Sequence, residues 1–543
     1  MLLVSENIDL YRYEIHSLVK AFYPEQEVKV LVDGDANSEK IRKDAQGQED
    51  FLRVRFLPGE ICLLFTAEAC KLAENKSDPK SAAGAKSGKK DSGMEAAAGT
   101  ECQTEYQLPA LDGTDFSAKS KETKDSLKRF LYDSLCSYTG RTLPWGDLIG
   151  IRPTKIAMTW MDEGSGEEET VQRLMQEHRV SEEKARLSVD IARREKRILS
   201  GIHYENGYSL YIGIPFCPTT CLYCSFPSFN IAMWKDRIGE YLDALERELE
   251  ETARLMQGQI LDTIYIGGGT PTSLEAEELD RLCTAIERYF DMSTVQEFTV
   301  EAGRPDSITR EKLEALRRHP VTRISVNPQT MKEETLRIIG RHHTVQQVID
   351  IYQDARACGF DNINMDLILG LPGEDAEDVR QTTEAIRALN PDSLTVHSLA
   401  IKRASRLRRV IDEKGYPVLI NTDETMKIAE AAAETMDMKP YYLYRQKNMS
   451  GNFENVGYAR EGKYGIYNIL IMEEVQTIVA LGAGSVTKRV FPGGRIERCD
   501  NAKEVSVYME NLDEMLERKR RLFAEKRYGN GEQAPVLLSA RRR

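Results

Sequence analysis

Cys217, Cys221 and Cys224 lie in the run Tyr-Ile-Gly-Ile-Pro-Phe-Cys-Pro-Thr-Thr-Cys-Leu-Tyr-Cys-Ser-Phe, and the C-x3-C-x2-C spacing gathers three thiolates on one short loop behind an apolar strand. Three close thiolates suit a metal centre. Bound to a cubane of four irons, they leave one iron without a protein ligand, free to bind a small chelating molecule and pass it an electron. A ferredoxin would supply a fourth thiolate for each cluster, and structural zinc prefers paired C-x2-C units with two further ligands; no second pair stands nearby in the sequence. The plainer alternative is three incidental thiols in a buried turn.

Further polar residues recur where apolar runs end. Gly267-Gly268-Gly269-Thr270-Pro271-Thr272 closes one such run, and its glycines let backbone approach a ligand without Cβ interference. No Gly-Lys-Ser/Thr follows and the G-x-G-x-x-G fingerprint is absent, so it is not a phosphate loop. Glu301 closes the next run, where a carboxylate could bond a ribose or ammonium group or merely cap a strand. Ser325-Val326-Asn327-Pro328-Gln329 closes another, followed by Arg341, His342 and His343. Neighbouring histidines point in different directions and lack a helical-face partner, so they are read as polar contacts rather than metal ligands. Asp366 interrupts an apolar strand and needs a partner, which places it toward a lumen holding something cationic or hydroxylated. His397 and Ser398 end the last run.

These positions require a scaffold that brings strand ends together. Strand-like runs at 208–214, 263–266, 297–300, 323–326, 362–369 and 393–399 alternate with amphipathic stretches at 238–256, 274–290, 309–318, 345–358 and 376–389. Parallel strands need crossovers of helix length, so the expected class is α/β: a partial (β/α)6 TIM-like barrel with chemistry at its C-terminal strand ends, an added N-terminal α+β module and a C-terminal α/β extension. The expected division is 1–73 and 125–170 for the N-terminal module and 74–124 for a disordered low-complexity insertion. A helical connector follows at 171–205, the barrel at 206–400, a substrate-covering region at 401–527 and a flexible tail at 528–543. Glu504–Arg527 reads as one charged helix over the barrel. The apolar run ending at Gly482-Ala483-Gly484-Ser485 reads either as pocket lining or as a tight strand-to-helix connection.

The chain has 543 residues, enough for two or three domains, with a net charge of −13. That balance argues against general nucleic-acid binding, which needs a basic face. Ten cysteines, seven of them scattered, do not make a secreted disulfide framework and fit a reducing, cytoplasmic setting. No stretch approaches membrane-spanning length.

Tyr-Ile-Gly-Ile-Pro-Phe-Cys, Gly-Gly-Gly-Thr-Pro-Thr and Asp-Leu-Ile-Leu-Gly-Leu-Pro-Gly, in this order between about Tyr208 and Ser485, resemble the radical SAM oxygen-independent coproporphyrinogen III oxidases (coproporphyrinogen dehydrogenases). The N-terminal module, Gly150–Lys155 and Tyr442–Asn448 are most similar to the HemZ-like branch. The resemblance implies that Cys217, Cys221 and Cys224 ligate a [4Fe-4S] cluster and that Tyr211, Gly268 and Glu301 contact the S-adenosyl-L-methionine bound to it, with Tyr211 and Glu301 as catalytic positions. It implies a second S-adenosylmethionine at Tyr223, Gly269, Thr270, Gln329, Arg341, Asp366 and Ser398. The implied chemistry is reductive cleavage to methionine and a 5'-deoxyadenosyl radical, which takes a β-hydrogen from a propionate. Carbon dioxide and one electron are then lost, and two rounds give protoporphyrinogen IX. The implied partners are a porphyrinogen substrate and a reductant such as a flavodoxin or ferredoxin. Arg403, Arg406, Arg408, Arg409, Arg445 and Lys447 are candidates for the substrate's carboxylates, since arginine binds carboxylate bidentately.

One position departs from the family pattern. The coproporphyrinogen-active members usually carry a further cysteine two residues after the third ligand, and here Ser225-Phe226 follows Cys224. In this the loop is similar to the related haem chaperones, yet their His-Asn-x-x-Tyr-Trp element is replaced by Lys463–Leu470. Three readings therefore stand: a haem-biosynthetic oxidoreductase, a haem-binding or haem-delivery protein, and a radical SAM enzyme with another substrate.

Overall fold

A computed structural model describes residues 1–24, 26–45, 48–57, 60–66, 104–109, 121–150, 152–400, 406–414, 421–445 and 453–524. They form two compact units, Met1–Gly150 with Val171–Ala185, and Ile151–Thr170 with Arg186–Arg543. The C-terminal residues 528–543 lie outside the described range.

The first unit carries a five-stranded sheet in the order Val28–Val32, Leu2–Glu6, Leu52–Leu57, Glu60–Phe65, Thr104–Pro109. Its first three strands are parallel, Glu60–Phe65 runs antiparallel to them, and Thr104–Pro109 runs antiparallel to Glu60–Phe65. Helices Arg12–Phe22 and Lys121–Thr139 lay Ile15, Leu18, Phe22, Leu127, Leu131 and Leu135 into its core. Thr104–Pro109 corrects the expectation of continuous disorder over 74–124. Tyr106 and Leu108 alternate with Glu105 and Gln107, a period-two pattern short enough to be hidden in low-complexity surroundings, and Tyr106 sets its ring edge on Phe65 at 5.8 Å. The remainder of that span up to residue 120 is outside the described residues.

The second unit is built on an eleven-stranded sheet. Six parallel strands run in chain order, Gly207–Ile214, Ile260–Gly268, Glu297–Gly303, Arg323–Val326, Ile363–Leu369 and Ser393–Ser398, where the apolar runs place them. Their buried residues are nearly continuous because helices cover a parallel sheet. The crossover helices are Ile238–Leu255, Ala276–Tyr289, Arg310–Arg317, Val345–Ala357 and Ala376–Leu389. Their starts are encoded locally: Thr309, Thr344 and Asp375 accept hydrogen bonds from first-turn N–H groups, and Thr344 and Asp375 complete capping boxes with Gln347 and Asp378.

A seventh parallel strand, Thr477–Leu481, pairs with Gly207–Ile214 and continues through antiparallel Val486–Val490 and Ile496–Asp500. At the other side Asn455–Ala459 and then Lys439–Tyr444 extend the sheet antiparallel from Ser393–Ser398. The sheet ends at Lys439–Tyr444 and Ile496–Asp500 and does not close on itself, as a partial barrel requires. The turn at Gly482–Ser485 therefore joins two strands, not a strand and a helix, and Gly482 (φ +90°) and Gly484 (φ +73°) supply its left-handed backbone.

The span 504–527 is also not one helix. Val505–Glu510 and Leu512–Ala524 break at Asn511, and the second helix turns a charged residue inward. Lys519 Nζ lies 2.5 Å from Glu248 Oε1, both side chains fully buried, and also donates to the Ala480 carbonyl at 2.7 Å. Glu248 further accepts from Tyr508 Oη (2.6 Å), Asn501 Nδ2 (2.8 Å) and the Gly482 N–H (2.8 Å). Burial pushes the Glu248 carboxyl up, but the Lys519 charge and these donors outweigh it and hold the pKa below the usual range. No helix among the described residues is long and apolar enough to cross a membrane. K519M leaves Glu248 buried without its counter-charge, so urea unfolding should show a loss of about 3–5 kcal/mol. The double variant E248M/K519M should recover most of it.

Candidate active site

The C-terminal ends of the six core strands surround a cavity of about 540 Å³. Cys217, Cys221 and Cys224 enter it from the loop after the first strand, Gly268, Gly269 and Thr270 from the second, and Glu301 from the third. Gln329 and Arg341 follow the fourth, Asp366 lies on the fifth and Ser398 ends the sixth; Tyr211 and Tyr223 complete the set.

The cysteine loop is held by backbone. Gly269 N–H donates to the Ile214 carbonyl at 2.8 Å and Thr270 N–H to the Phe216 carbonyl at 2.7 Å. A Cβ on Gly269 would stand 2.5 Å from the Phe216 carbonyl oxygen, and Gly268 takes φ +111°, so both glycines are required by close approach and by conformation. On the far side Leu222 N–H donates to the Ile339 carbonyl at 3.0 Å, and Arg406 Nη2 to the Thr220 carbonyl at 2.7 Å.

No described cysteine forms a disulfide. Thr270 Oγ1 donates to Cys217 Sγ at 3.4 Å and Arg304 Nη1 to Cys221 Sγ at 3.6 Å. Burial raises the Cys217 thiol to about 11, against the lowering effect of the Thr270 hydrogen bond. Among the described residues no three His, Cys, Asp or Glu side chains converge as a single ion would need. A cubane asks for a different arrangement, one thiolate for each of three irons.

The lumen beyond the loop is polar. Tyr265 stacks on Tyr467 (4.6 Å) and on Tyr211 (6.2 Å). Glu301 is raised to about 7, first by burial and then by the Asp366 charge, against hydrogen bonds from Tyr265 and the Gly268 N–H. Asp366 is held below the usual range despite burial, by His397 and by Asn364, whose Nδ2 donates at 2.7 Å; His397 Nε2 stands 3.8 Å away and Tyr444 Oη 3.3 Å from His397 Nδ1. Gln329 adopts φ +69°, its N–H donating to the Asp366 carbonyl at 3.0 Å and its carbonyl accepting from Ile368 N–H at 2.9 Å. Its buried Oε1 has no protein partner, and neither do Asn327 Oδ1, Ser325 Oγ and Arg341 Nε. Buried polar atoms carry such a cost that orphans lining a cavity mark a polar ligand. Thiols, glycine cradle and orphaned donors and acceptors together fit a cluster and a zwitterionic adenosyl compound.

Residues 211–386 match the radical SAM superfamily. The oxygen-independent coproporphyrinogen-III oxidase-like protein HemZ of Bacillus subtilis is 41% identical over 406 residues, 74% of this chain and 81% of that protein. The heme chaperone HemW of B. subtilis is 34% identical over 45% of this chain and 63% of its own length. The oxygen-independent coproporphyrinogen III oxidase of Escherichia coli is 32% identical over 36% and 42%. The solved structure of coproporphyrinogen III oxidase (HemN) from E. coli is similar at 23% identity and a TM-score of 0.47, covering 59% of this chain and 73% of that one. The chain belongs to the radical SAM superfamily, in the family that contains HemZ, HemW and the oxygen-independent coproporphyrinogen III oxidases. Membership implies a [4Fe-4S] cluster and S-adenosylmethionine.

The thirteen positions named for cluster and cofactor line this one cavity. Of the arginines named for substrate carboxylates, the three whose side chains are described, Arg406, Arg409 and Arg445, do not. Arg406 holds the cysteine loop, and Arg409 pairs with Glu413 at 3.5 Å. Arg445 is buried off the cavity, where desolvation brings its pKa down to about 10 against the Glu454 charge. Arg403 and Lys447 lie outside the described residues, as does the side chain of Arg408. The guanidiniums that line the cavity are Arg304, Arg323 and Arg341. Tyr265, Tyr442, Tyr444 and Asn468 line it too and were not expected there. Tyr265 and Arg304 sit inside motifs that were singled out, whereas Asn468 comes from a helix, Ile466–Glu473, whose docking only the fold reveals. The Gly482–Ser485 turn does not line the cavity. Gly269→Ala should cut iron uptake on anaerobic reconstitution at least severalfold, read by iron and sulfide analysis, while Gly239→Ala, at an open helical position, should load like the parent.

Proposed function

We propose that the protein is a radical SAM oxidoreductase that oxidatively decarboxylates propionate side chains of coproporphyrinogen III to give protoporphyrinogen IX. The observation that carries it is the convergence of the three cysteines, the Gly268–Thr270 segment and Glu301, from three successive strand ends, on one polar cavity, in a chain whose 41%-identical relative is named as a protein like that oxidase. Cys217, Cys221 and Cys224 would hold the cluster, and the glycine segment with Tyr211 and Glu301 the S-adenosylmethionine beside it. Together these groups supply one-electron chemistry able to activate a C–H bond.

The chain's own residues bind and orient. The backbone at Gly268 and Gly269 offers a ligand a surface without Cβ atoms, and Glu301 offers a carboxylate whose charge is stabilised by Tyr265 and the Gly268 N–H. A second S-adenosylmethionine is assigned to Tyr223, Gln329, Arg341 and Asp366, where orphaned Gln329 Oε1 and Arg341 Nε are ready for polar partners. Ser398 contributes wall rather than a free hydroxyl, since its Oγ donates to the Glu454 carbonyl and accepts from Asn421 Nδ2, both at 2.9 Å. A four-carboxylate substrate calls for buried cations, and Arg323, which lines the cavity with its Nε unpartnered, supports that role. The electron would come from a flavodoxin or ferredoxin.

Haem handling is the second reading, favoured by the similarity to heme chaperones and by Phe226, which lines the cavity two residues after Cys224, where the oxidases usually carry cysteine. Anaerobic incubation of the reconstituted protein with coproporphyrinogen III, S-adenosylmethionine and a reductant separates the two. Protoporphyrinogen with carbon dioxide is expected. Cofactor cleavage without decarboxylation, together with stoichiometric haem binding, would favour delivery.

Glu301 also gives a pH dependence. Its folded pKa is raised, so its contribution to stability is complete below about pH 4.5 and is lost as pH rises through about 7. The carboxylate forms over that upper range, and the affinity for cationic S-adenosylmethionine should climb about tenfold between pH 6 and 8, following the ionised fraction. Equilibrium dialysis should show that rise in the parent and a flat, weaker profile in E301Q.

A further inference from the structure

We infer that Arg304 and Asp306 set the reduction potential of the cluster, through a hydrogen bond from the Arg304 guanidinium to the Cys221 sulfur. This rests on the reading of the three cysteines as cluster ligands and is independent of the substrate.

Arg304 follows Gly303, whose φ of +74° turns the chain at the end of the third strand and aims the arginine under the cysteine loop. One end of its guanidinium meets the loop: Nη1 donates to the Thr219 carbonyl at 2.9 Å, to Thr219 Oγ1 at 2.8 Å and to Cys221 Sγ at 3.6 Å. The opposite edge is gripped bidentately by Asp306, with Nε to Oδ1 at 3.0 Å and Nη2 to Oδ2 at 2.7 Å. The arginine side chain is 4% exposed and the aspartate 17%, so the pair is an oriented dipole with its positive end on the sulfur.

Reduction adds one negative charge to a cluster, and donors or positive charge at its sulfurs stabilise the reduced form and raise its potential. A buried guanidinium acts at low local dielectric, where its effect is little screened. Thr270 gives Cys217 a neutral donor, whereas Cys221 receives a charged one from Arg304 and has the Arg341 guanidinium beside it as well. A tether whose only task was to hold the loop could bond the Thr219 carbonyl alone. The contact with sulfur, and the carboxylate behind it, couple charge to the cluster.

The two members of the pair therefore shift the potential in opposite directions. In R304Q the positive charge is lost while Asp306 stays negative, and the midpoint should fall. In D306N the guanidinium stays on the sulfur without its counter-charge, and the midpoint should rise. R304K, which keeps the charge but loses the fork, should fall less than R304Q. The experiment is an EPR-monitored redox titration of the full chain after anaerobic reconstitution, without added S-adenosylmethionine, with iron content and thermal unfolding measured alongside. Midpoints that do not move, or that move the same way in R304Q and D306N, overturn the inference. Should R304Q hold no cluster, D306N decides: a higher midpoint supports the assignment, and an unchanged or lower one overturns it. A parent protein that takes up no cluster would overturn the ligand reading itself, a result distinct from loaded variants with unmoved potentials.

Discussion

The closeness of the second core strand to the cysteine loop is the constraint on which the site depends. Two backbone hydrogen bonds, from Gly269 to Ile214 and from Thr270 to Phe216, fasten the loop where a side chain on Gly269 would collide with a carbonyl. Because the contact is backbone on backbone, it tolerates almost no displacement. It puts the Thr270 hydroxyl on the Cys217 sulfur and brings the Gly268 N–H to Glu301, so the cysteine loop and the Glu301 carboxylate are positioned by one segment.

The second consequence is electrostatic. An acidic chain with net charge −13 encloses a lumen in which carboxylates and guanidiniums alternate: Glu301 and Asp366 against Arg304, Arg323 and Arg341. Burial makes each costly unless paired, and the pairs are incomplete. Asp366 has Asn364 and His397, and Arg304 has Asp306, but Arg341 and Gln329 keep orphaned atoms. A lumen left partly unsatisfied fits polar, charged ligands, which supports two adenosyl compounds and a carboxylate-rich substrate. The mismatch at Phe226, where a further cysteine is usual, bears on that substrate and not on the cluster.

Much of this was legible in the sequence because it is local. The six core strands, their helices and capping residues such as Thr344 and Asp375 follow from periodicity and neighbouring residues, and the motif residues gather because strand ends gather in any parallel α/β barrel. What was not legible depends on distant pairing. The seventh parallel strand at Thr477–Leu481 carries no mark of its partner more than 260 residues earlier. Lys519 looked like one more charge on a surface helix, and only Glu248 across the fold makes it a core residue. Basic residues at 402–409 drew attention as a cluster, whereas the cavity uses solitary arginines, each on a different strand or loop. Arg304 sat in a motif noted for its neighbour Glu301, and the sulfur it serves is on another loop.

The central claim is that three thiolates hold a cluster with one iron open to S-adenosylmethionine. EPR of the anaerobically reconstituted, dithionite-reduced protein, recorded with and without S-adenosylmethionine, tests it most directly. A [4Fe-4S] signal that changes on adding the cofactor and is absent when Cys217, Cys221 and Cys224 are replaced by alanine is the expected result. A cluster signal indifferent to S-adenosylmethionine, or one that survives loss of the three cysteines, would contradict it.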